Sequence, residues 1–450
     1  MSTGVVKPPA CIGCPFYQDG KGFVPDRIVP SSKVLIYAQN PGKDEVLGEK
    51  YDGVGYVSHK VEPMIGKTGF ALDNSYLPAA GLSRDEVSIG NAIRCRVGGK
   101  DELPPIDEVK TRQAMLHCHL NYFELPPSTE LIIAQGNYSL NALTQRGGKG
   151  DGIDYWRGFV LPLNTIGTPQ RSMTDIWIPS HNDSVPVLAT YHIAYTFREP
   201  TASLITRLDF SKVQKILSSR WPESLPQIIS GGPDVWPLES AFDTEFDPYT
   251  GYFICYSLYD GKALRVSSTL DSGVINGSPH VVMHNAAADL TYLEMMFQGV
   301  PFAYDDTMHG HAVLWSDFPH DLGFLGSLYG RINAWKHLMH TNPRVYSAAD
   351  ALVTWDVWQK IKQEFSRDAR SWKVYTEKQL PLVPIIRDAI APGIRVNTKR
   401  CNEHYVERRA EIDSLNALAQ AMVGWPINLR GAAQTSHQLF KVEKLAELLK

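Results

Sequence analysis

Asp243 and Glu245 in AFDTEF open a series of chemically capable residues that continues with Asp289 in VMHNAAADL and ends with Tyr346 and Asp350 in VYSAAD. On a β-strand the i, i+2 spacing turns Asp243 and Glu245 to one face. Two carboxylates there share a site only with cations between them. Tyr346 and Asp350 are spaced i, i+4 at the start of a helical pattern running to about Phe365, which stacks phenol and carboxylate on one helix face. Such oxygen ligands suit two hard cations, Mg²⁺ or Mn²⁺. Two ions about 3.5–4 Å apart can activate a hydroxide and stabilise the leaving oxygen of a phosphodiester. Asp243 is expected to bridge the ions, Glu245 and Asp350 to hold the first, Asp289 to hold the second through its waters, and Tyr346 to position the nucleophile.

The elements needed to bring these groups together can be read in order. A strand carries D-x-E, a second apolar strand leads into N-x3-D, and a later helix carries Y-x3-D. This order resembles the DEDD family of proofreading exonucleases with the tyrosine variant of its third motif. The intervening AYDDTMHGHAVLW, PHDLGFLGSLYG and AWKH resemble the exonuclease domain of family A DNA polymerases. The resemblance covers about Leu238 to Asp368 and implies a ribonuclease H-like fold. A calcium-loop reading of DTEFDPYTG fails, because the sixth and twelfth positions are Pro248 and Ile254 instead of glycine and glutamate. His309 and His311 in MHGH lack a third convergent ligand and receive no role.

The chain has 450 residues, too many for one ordinary core, and two or three domains are expected. With 43% apolar and 20% charged residues, the composition is that of a globular protein. There is no apolar run of membrane-spanning length and no secretory signal pattern, which points to a cytoplasmic protein, in the host cytoplasm if phage-encoded. The formal net charge of −4 does not exclude nucleic acid as partner. A two-cation site concentrates carboxylates, and single-strand binding can rest on a local basic groove with aromatic stacking.

Six cysteines in such a compartment argue for metal or packing roles over disulfides. Cys11 and Cys14 form C-x2-C, and Cys95 and Cys118 follow at long range. Zinc and an iron–sulfur cluster both fit four thiolates, and spacing alone favours zinc. The segments PPACIGCPF, KVLIYAQNPGKDE, EPMIGKTGFALDNSYLPAAGLSRDEVSIGNAIRCRV, QAMLHCHLNYF, ELIIAQGNYSLNAL and ATYHIAYTFREP resemble, in order, the iron–sulfur class (family 4) of uracil-DNA glycosylases over about Pro9 to Ser211. The resemblance implies a [4Fe–4S] cluster on Cys11, Cys14, Cys95 and Cys118. It also implies a uracil pocket in which Asn91 reads the base and His192 stands over the scissile bond. Three positions depart from the family's pattern: Gln39 replaces its acidic residue, Met64 the aromatic that stacks on uracil, and Ile193 the proline after the histidine. Glutamine carries no charge to stabilise a cationic sugar. A glycosylase fold with weak or absent uracil excision is therefore the expectation. GKTG at Gly66 to Gly69 is no phosphate loop, since the position where the first glycine would stand is Val61.

KVLIYAQN, VSIGNAI, ELIIAQG and VPVLATY are short apolar runs separated by helical stretches, which reads as a parallel sheet covered on both faces. Gln39, Asn91 and His192 fall on the loops at its strand ends. A Pro- and Gly-punctuated linker over 218–237 divides this domain (1–217) from the mixed-sheet exonuclease domain (238–370), where GYFICYSLYDG and KALRVSS form a hairpin around Asp260 and Gly261. Residues 371–450 read as helices broken by a turn at Gly393. With INLRGAAQTSHQLF at Ile427 to Phe440, they resemble the beginning of a family A polymerase domain without its catalytic motifs.

The α/β chain is thus expected to be a 3′→5′ exonuclease acting on single-stranded or frayed DNA 3′ ends in a phage-type replication setting. A polymerase domain or separate polymerase chain is the expected partner. Uracil excision by the N-terminal domain, or non-catalytic binding of uracil-containing DNA or template, is the alternative.

Overall fold

Short apolar runs of five residues with nearly every position buried can only be central strands of a covered sheet, and the N-terminal part is built on four of them. The computed structural model describes residues 6–97, 108–147, 150–179, 184–235, 237–247, 250–269, 280–297, 303–390, 393 and 395–424. It divides into two units, Met1–Arg387 and Asp388–Lys450. The stretch Ile427 to Phe440 lies outside the described residues.

In the first unit, β1 (Val34–Ala38), β2 (Glu49–Tyr51), β3 (Tyr56–Ser58), β4 (Val87–Asn91), β5 (Leu131–Gln135), β6 (Val160–Pro162) and β7 (Pro186–Thr190) come first. β2 and β3 form a separate hairpin, and the others a sheet of order β4-β1-β5-β7-β6. Its first four strands are parallel, as their apolar runs predict, but β6 runs antiparallel on the edge against β7. Three residues ending in proline carry too little pattern to announce a strand. Ala38 and Asn91 are register partners at the ends of β1 and β4, so the following loops open side by side.

The second sheet contains β8 (Ile228–Ser230), β9 (Ser240–Phe246), β10 (Phe253–Tyr259), β11 (Leu264–Ser267), β12 (His280–Met283) and β13 (Ala303–Asp306), in the order β13-β12-β9-β10-β11-β8. β10 is antiparallel to β9 and β11, while β12 is parallel to β9 and β13. This is the mixed ribonuclease H-like arrangement. The β10–β11 turn is closed by Asp260, whose Oδ1 accepts from the Lys262 and Ala263 amides at 2.9 and 2.7 Å. Gly261 supplies its left-handed φ of +86°. The stretch read as a linker is more than a connection, because β8 within it pairs in parallel with β11.

The helix Pro343–Phe365 starts cleanly, with Pro343 at its first position and Asn342 capping the Val345 amide. Ala348, Ala349 and Ala351 are wholly buried. Their small side chains let the helix lie close on β9 and β10, and this carries Asp350 to the acidic strand.

The two sheets share one hydrophobic core, which runs from Val34 and Ile36 to Trp335 and Trp358. Polar groups also cross between the two domains. Arg157, paired with Asp209 at 3.3 Å, donates to the Ser327 hydroxyl. Asn333 donates to the carbonyls of Val160 and Trp177, both at 2.8 Å. The second unit contains the helix Thr398–Val423, capped by Asn397, ended at Gly424 with φ +83° and exposed along nearly its whole length. Among the described residues no helix is long and apolar enough to cross a membrane.

Candidate functional site

Asp243 and Glu245 lie on β9 opposite Ser257 and Cys255 of β10, and their side chains leave the same face of the strand. One oxygen each from Asp243, Glu245 and Asp350 lies within 4.8 Å of the others, the one such group among the described residues. Ser347, three residues before Asp350, donates to Asp243 Oδ2 at 3.3 Å and ties helix to strand. Asp289 does not join the trio. Its Oδ1 accepts from the amide of Thr244, 3.0 Å away, and from the Thr244 hydroxyl, which ties it to the residue between Asp243 and Glu245. Tyr346 is buried, with its hydroxyl 3.1 Å from Lys336 Nζ.

The electrostatics show what the trio lacks. Burial, then the charges of Asp350, Glu245 and Asp289, raise the Asp243 carboxyl well above its usual range. Burial and Asp350 push Glu245 up to about 8. Burial lifts Asp289 to about 7, against the hydrogen bonds from Thr244. Carboxyls so placed hold protons at neutral pH unless another cation replaces them.

Lys336 was quoted in the sequence only as part of AWKH, yet it completes the arrangement. Its ammonium donates to both Asp350 oxygens at 2.8 and 3.0 Å, and Trp335 Nε1 donates to Asp350 Oδ1 at 2.5 Å. Burial works against the Lys336 charge, but Asp350 and Tyr346 hold it above the ordinary lysine range. The histidines of MHGH diverge: His309 pairs with Asp306 at 3.0 Å, and His311 meets His320 at 2.8 Å.

The four cysteines also converge. Cys11 and Cys14 are presented by one turn, with the Cys14 amide bonded to the Cys11 carbonyl at 3.1 Å. They line one small cavity with Cys95, Cys118, Lys7 and Arg94. Gly20 lets the backbone pass Cys95, since a Cβ there would stand 2.6 Å from its sulfur. No three of the sulfurs fall within 4.8 Å of one another. Four thiols lining one cavity are a donor set that suits either a tetrahedral zinc or an iron–sulfur cluster. Burial pushes the Cys95 and Cys118 thiols up to about 12 and about 11, so loading the site must release protons.

A third constellation forms at the strand ends of the first sheet. Gln39, Met64, Asn91 and His192 line one cavity of about 420 Å³, together with Lys43, Arg96 and Arg198. Asn91 is 2% exposed and its Nδ2 has no hydrogen-bond partner. His192 Nδ1 accepts from the Ala194 amide at 3.1 Å, so the ring proton sits on Nε2. Burial and then Arg198 push His192 down to about 4, and the ring is neutral near pH 7. Met64 does not offer a stacking surface: it is 2% exposed, packed into the core, and takes a left-handed φ of +54°. Its amide donates to Glu45 Oε1 at 2.6 Å, and the Gly42 amide donates to Glu45 Oε2. Glu45 thus joins the two pocket loops. Its position three residues after Gly42, at the start of a helix, was the available signal.

The Uracil DNA glycosylase superfamily matches residues 25–218. The type-4 uracil-DNA glycosylase of Sulfurisphaera tokodaii is 21% identical over 235 residues, covering 52% of this chain and 93% of that protein. That of Saccharolobus solfataricus is 24% identical over 225 residues, covering 50% and 89%. Among solved structures, Escherichia coli RNase D, an exoribonuclease involved in structured RNA processing, is 18% identical with a TM-score of 0.27, over 33% of this chain and 45% of that one. Brucella melitensis NrnC with bound Mg²⁺ is 16% identical with a TM-score of 0.29, over 36% and 90%. The N-terminal part is therefore a uracil-DNA glycosylase superfamily domain.

Two measurements test the metal sites. Glu245, raised from 4.5 to about 8, contributes stability to the metal-free fold that is complete below the unfolded value and is lost as pH rises through about 8. Mg²⁺ should therefore raise the melting temperature by a few degrees more at about pH 8 than at about pH 6. Equal increments would contradict the coupling. Elemental analysis of anaerobically purified protein should find about four irons per chain, reduced in Cys95→Ser. Stoichiometric zinc would overturn the cluster assignment.

Proposed function

We propose that the chain is a 3′→5′ exonuclease that hydrolyses single-stranded or frayed DNA 3′ ends with two divalent ions. The observation that carries this reading is the convergence of Asp243, Glu245 and Asp350, with Asp289 bonded to Thr244 between the first two. Bound there, the ions would supply a hydroxide at neutral pH and charge for the leaving oxygen. Asp243 would serve both ions, Glu245 and Asp350 would hold the first, and Asp289 would hold the second. Tyr346, its hydroxyl held by Lys336, orients the attacking water. Lys336 and Trp335 fix the Asp350 carboxylate, so that this ligand is in place before substrate arrives.

The likeness of residues 371–450 to the beginning of a family A polymerase supports a proofreading role in phage-type DNA replication in the host cytoplasm. The polymerase would belong to a longer chain or a separate one.

A second reading concerns the N-terminal cavity. The unpartnered Asn91 Nδ2 and the Nε2 proton of neutral His192 are two donors for an extruded uracil. Gln39 brings no charge to a cationic sugar, and Met64 no ring. The domain accordingly binds uracil-containing DNA or template with little or no excision, and Cys11, Cys14, Cys95 and Cys118 would hold a [4Fe–4S] cluster in a separate cavity.

End-labelled single-stranded oligonucleotides should be shortened from the 3′ end in Mg²⁺ and left intact in EDTA. Asp243→Ala and Asp350→Ala should each lose at least ~100-fold in rate, and Tyr346→Phe ~10-fold. Parent-like rates in both alanine variants would overturn the assignment. An oligonucleotide with one internal uracil should bind more tightly than its thymine counterpart in EDTA, and the gain should vanish in Asn91→Ala. Robust release of free uracil would instead establish excision.

A further inference from the structure

A cavity of about 610 Å³ lies where the glycosylase superfamily domain meets the second sheet's domain, and both line it. The second sheet's domain contributes Trp335, Lys336 and Tyr346. The first two bond Asp350 directly, so the cavity adjoins the acidic site, with these side chains between them. The N-terminal domain contributes Tyr155 and Phe159. With Leu322 and Phe324 also in the wall, the lining is mostly apolar, and its size is that of a small-ligand site.

Tyr155 differs from its neighbours at this boundary. Trp156, Arg157 and Phe159 are buried at 1%, 2% and 4% exposure, whereas Tyr155 is 36% exposed. It is nonetheless held firmly. Its ring stands edge-on to Trp156 at 4.9 Å, and Trp156 Nε1 donates to Asp151 at 2.6 Å. The short helix below begins with the Ile153 amide bonded to Asn137 Oδ1 at 2.7 Å. The boundary itself is fixed by the Arg157 bond to Ser327 and by Lys212, which donates to the carbonyls of Gly158 and Ser327. A rigid, partly exposed aromatic ring beside a phosphodiester-cleaving site is a stacking platform of the kind that grips single strands.

We infer that Tyr155 stacks on a base of the single strand whose 3′ end enters the acidic site, so that the glycosylase superfamily domain supplies one wall of the nuclease's substrate cleft. This rests on the nuclease reading above. The occupant is one unpaired nucleobase near the 3′ end. A base still paired in a duplex would bring its partner strand into the same cavity.

The test uses the full chain as parent, Tyr155→Ala, Tyr155→Phe and Tyr155→Trp. Fluorescence anisotropy with a single-stranded oligonucleotide in EDTA gives Kd, and hydrolysis in Mg²⁺ gives KM and kcat. Tyr155→Ala should weaken binding and raise KM ~10-fold, moving kcat less, with Phe and Trp restoring both. A set of oligonucleotides each abasic at one of the last few 3′ positions separates stacking from a structural effect. At one position the parent should lose ~10-fold in binding and Tyr155→Ala nothing further. Parent-like Kd in Tyr155→Ala, or the same abasic penalty in both proteins at every position, would overturn the inference. A parent that binds but never hydrolyses in Mg²⁺ or Mn²⁺ would overturn the nuclease reading instead, and the abasic series would still decide whether Tyr155 stacks.

Discussion

Mutual repulsion among carboxylates at the end of one buried strand is the constraint around which the second sheet's domain is organised. Asp243, Glu245 and Asp350 crowd within 4.8 Å, with Asp289 bonded to Thr244 between the first two, and burial adds to the penalty for ionising any of them. Residues that hold the group together do so from several elements. Ser347 ties the helix to Asp243, Thr244 takes up Asp289, and Lys336 with Trp335 fixes Asp350. Lys336 offsets only part of the charge on Asp243 and Glu245, whose carboxyls still stand above their usual range. An apolar strand end would be more stable without a cation, and the proposed function gives this unfavourable group its reason: a divalent ion would relieve what these supports leave.

The second organising feature is the boundary between the domains. A buried Arg157–Asp209 pair would contribute little net stability in isolation. Here it also reaches Ser327 across the boundary, and with Lys212 and Asn333 it sets how one sheet's domain meets the other. The consequence is a cavity whose walls belong to both domains and include Trp335 and Lys336, the two residues that bond Asp350. The glycosylase superfamily domain thus shapes that cleft, and Tyr155 is the residue through which it does so.

Much of this was legible in the sequence because strong patterns were at work. The apolar runs ending at Ala38, Asn91, Gln135 and Thr190 gave the parallel strands, and the i, i+2 and i, i+4 spacings placed Asp243 with Glu245 and Tyr346 with Asp350. Short elements escaped, because β6 and β8 are three residues each and owe their pairing to tertiary neighbours. Lys336 and Glu45 escaped for another reason: each acts on groups distant in sequence or on backbone amides, and residue type alone does not reveal that. Asp289 was singled out by its motif, but its bond to Thr244 is a matter of side-chain orientation, which spacing does not determine.

The central claim is that the carboxylate cluster exists to hold divalent ions. A crystal soaked in Mn²⁺ and measured for anomalous scattering tests it most directly. The account predicts two peaks about 3.5–4 Å apart, the first among Asp243, Glu245 and Asp350 and the second on the Asp289 side. A map with no peak there, and Lys336 still closed on Asp350, would contradict it.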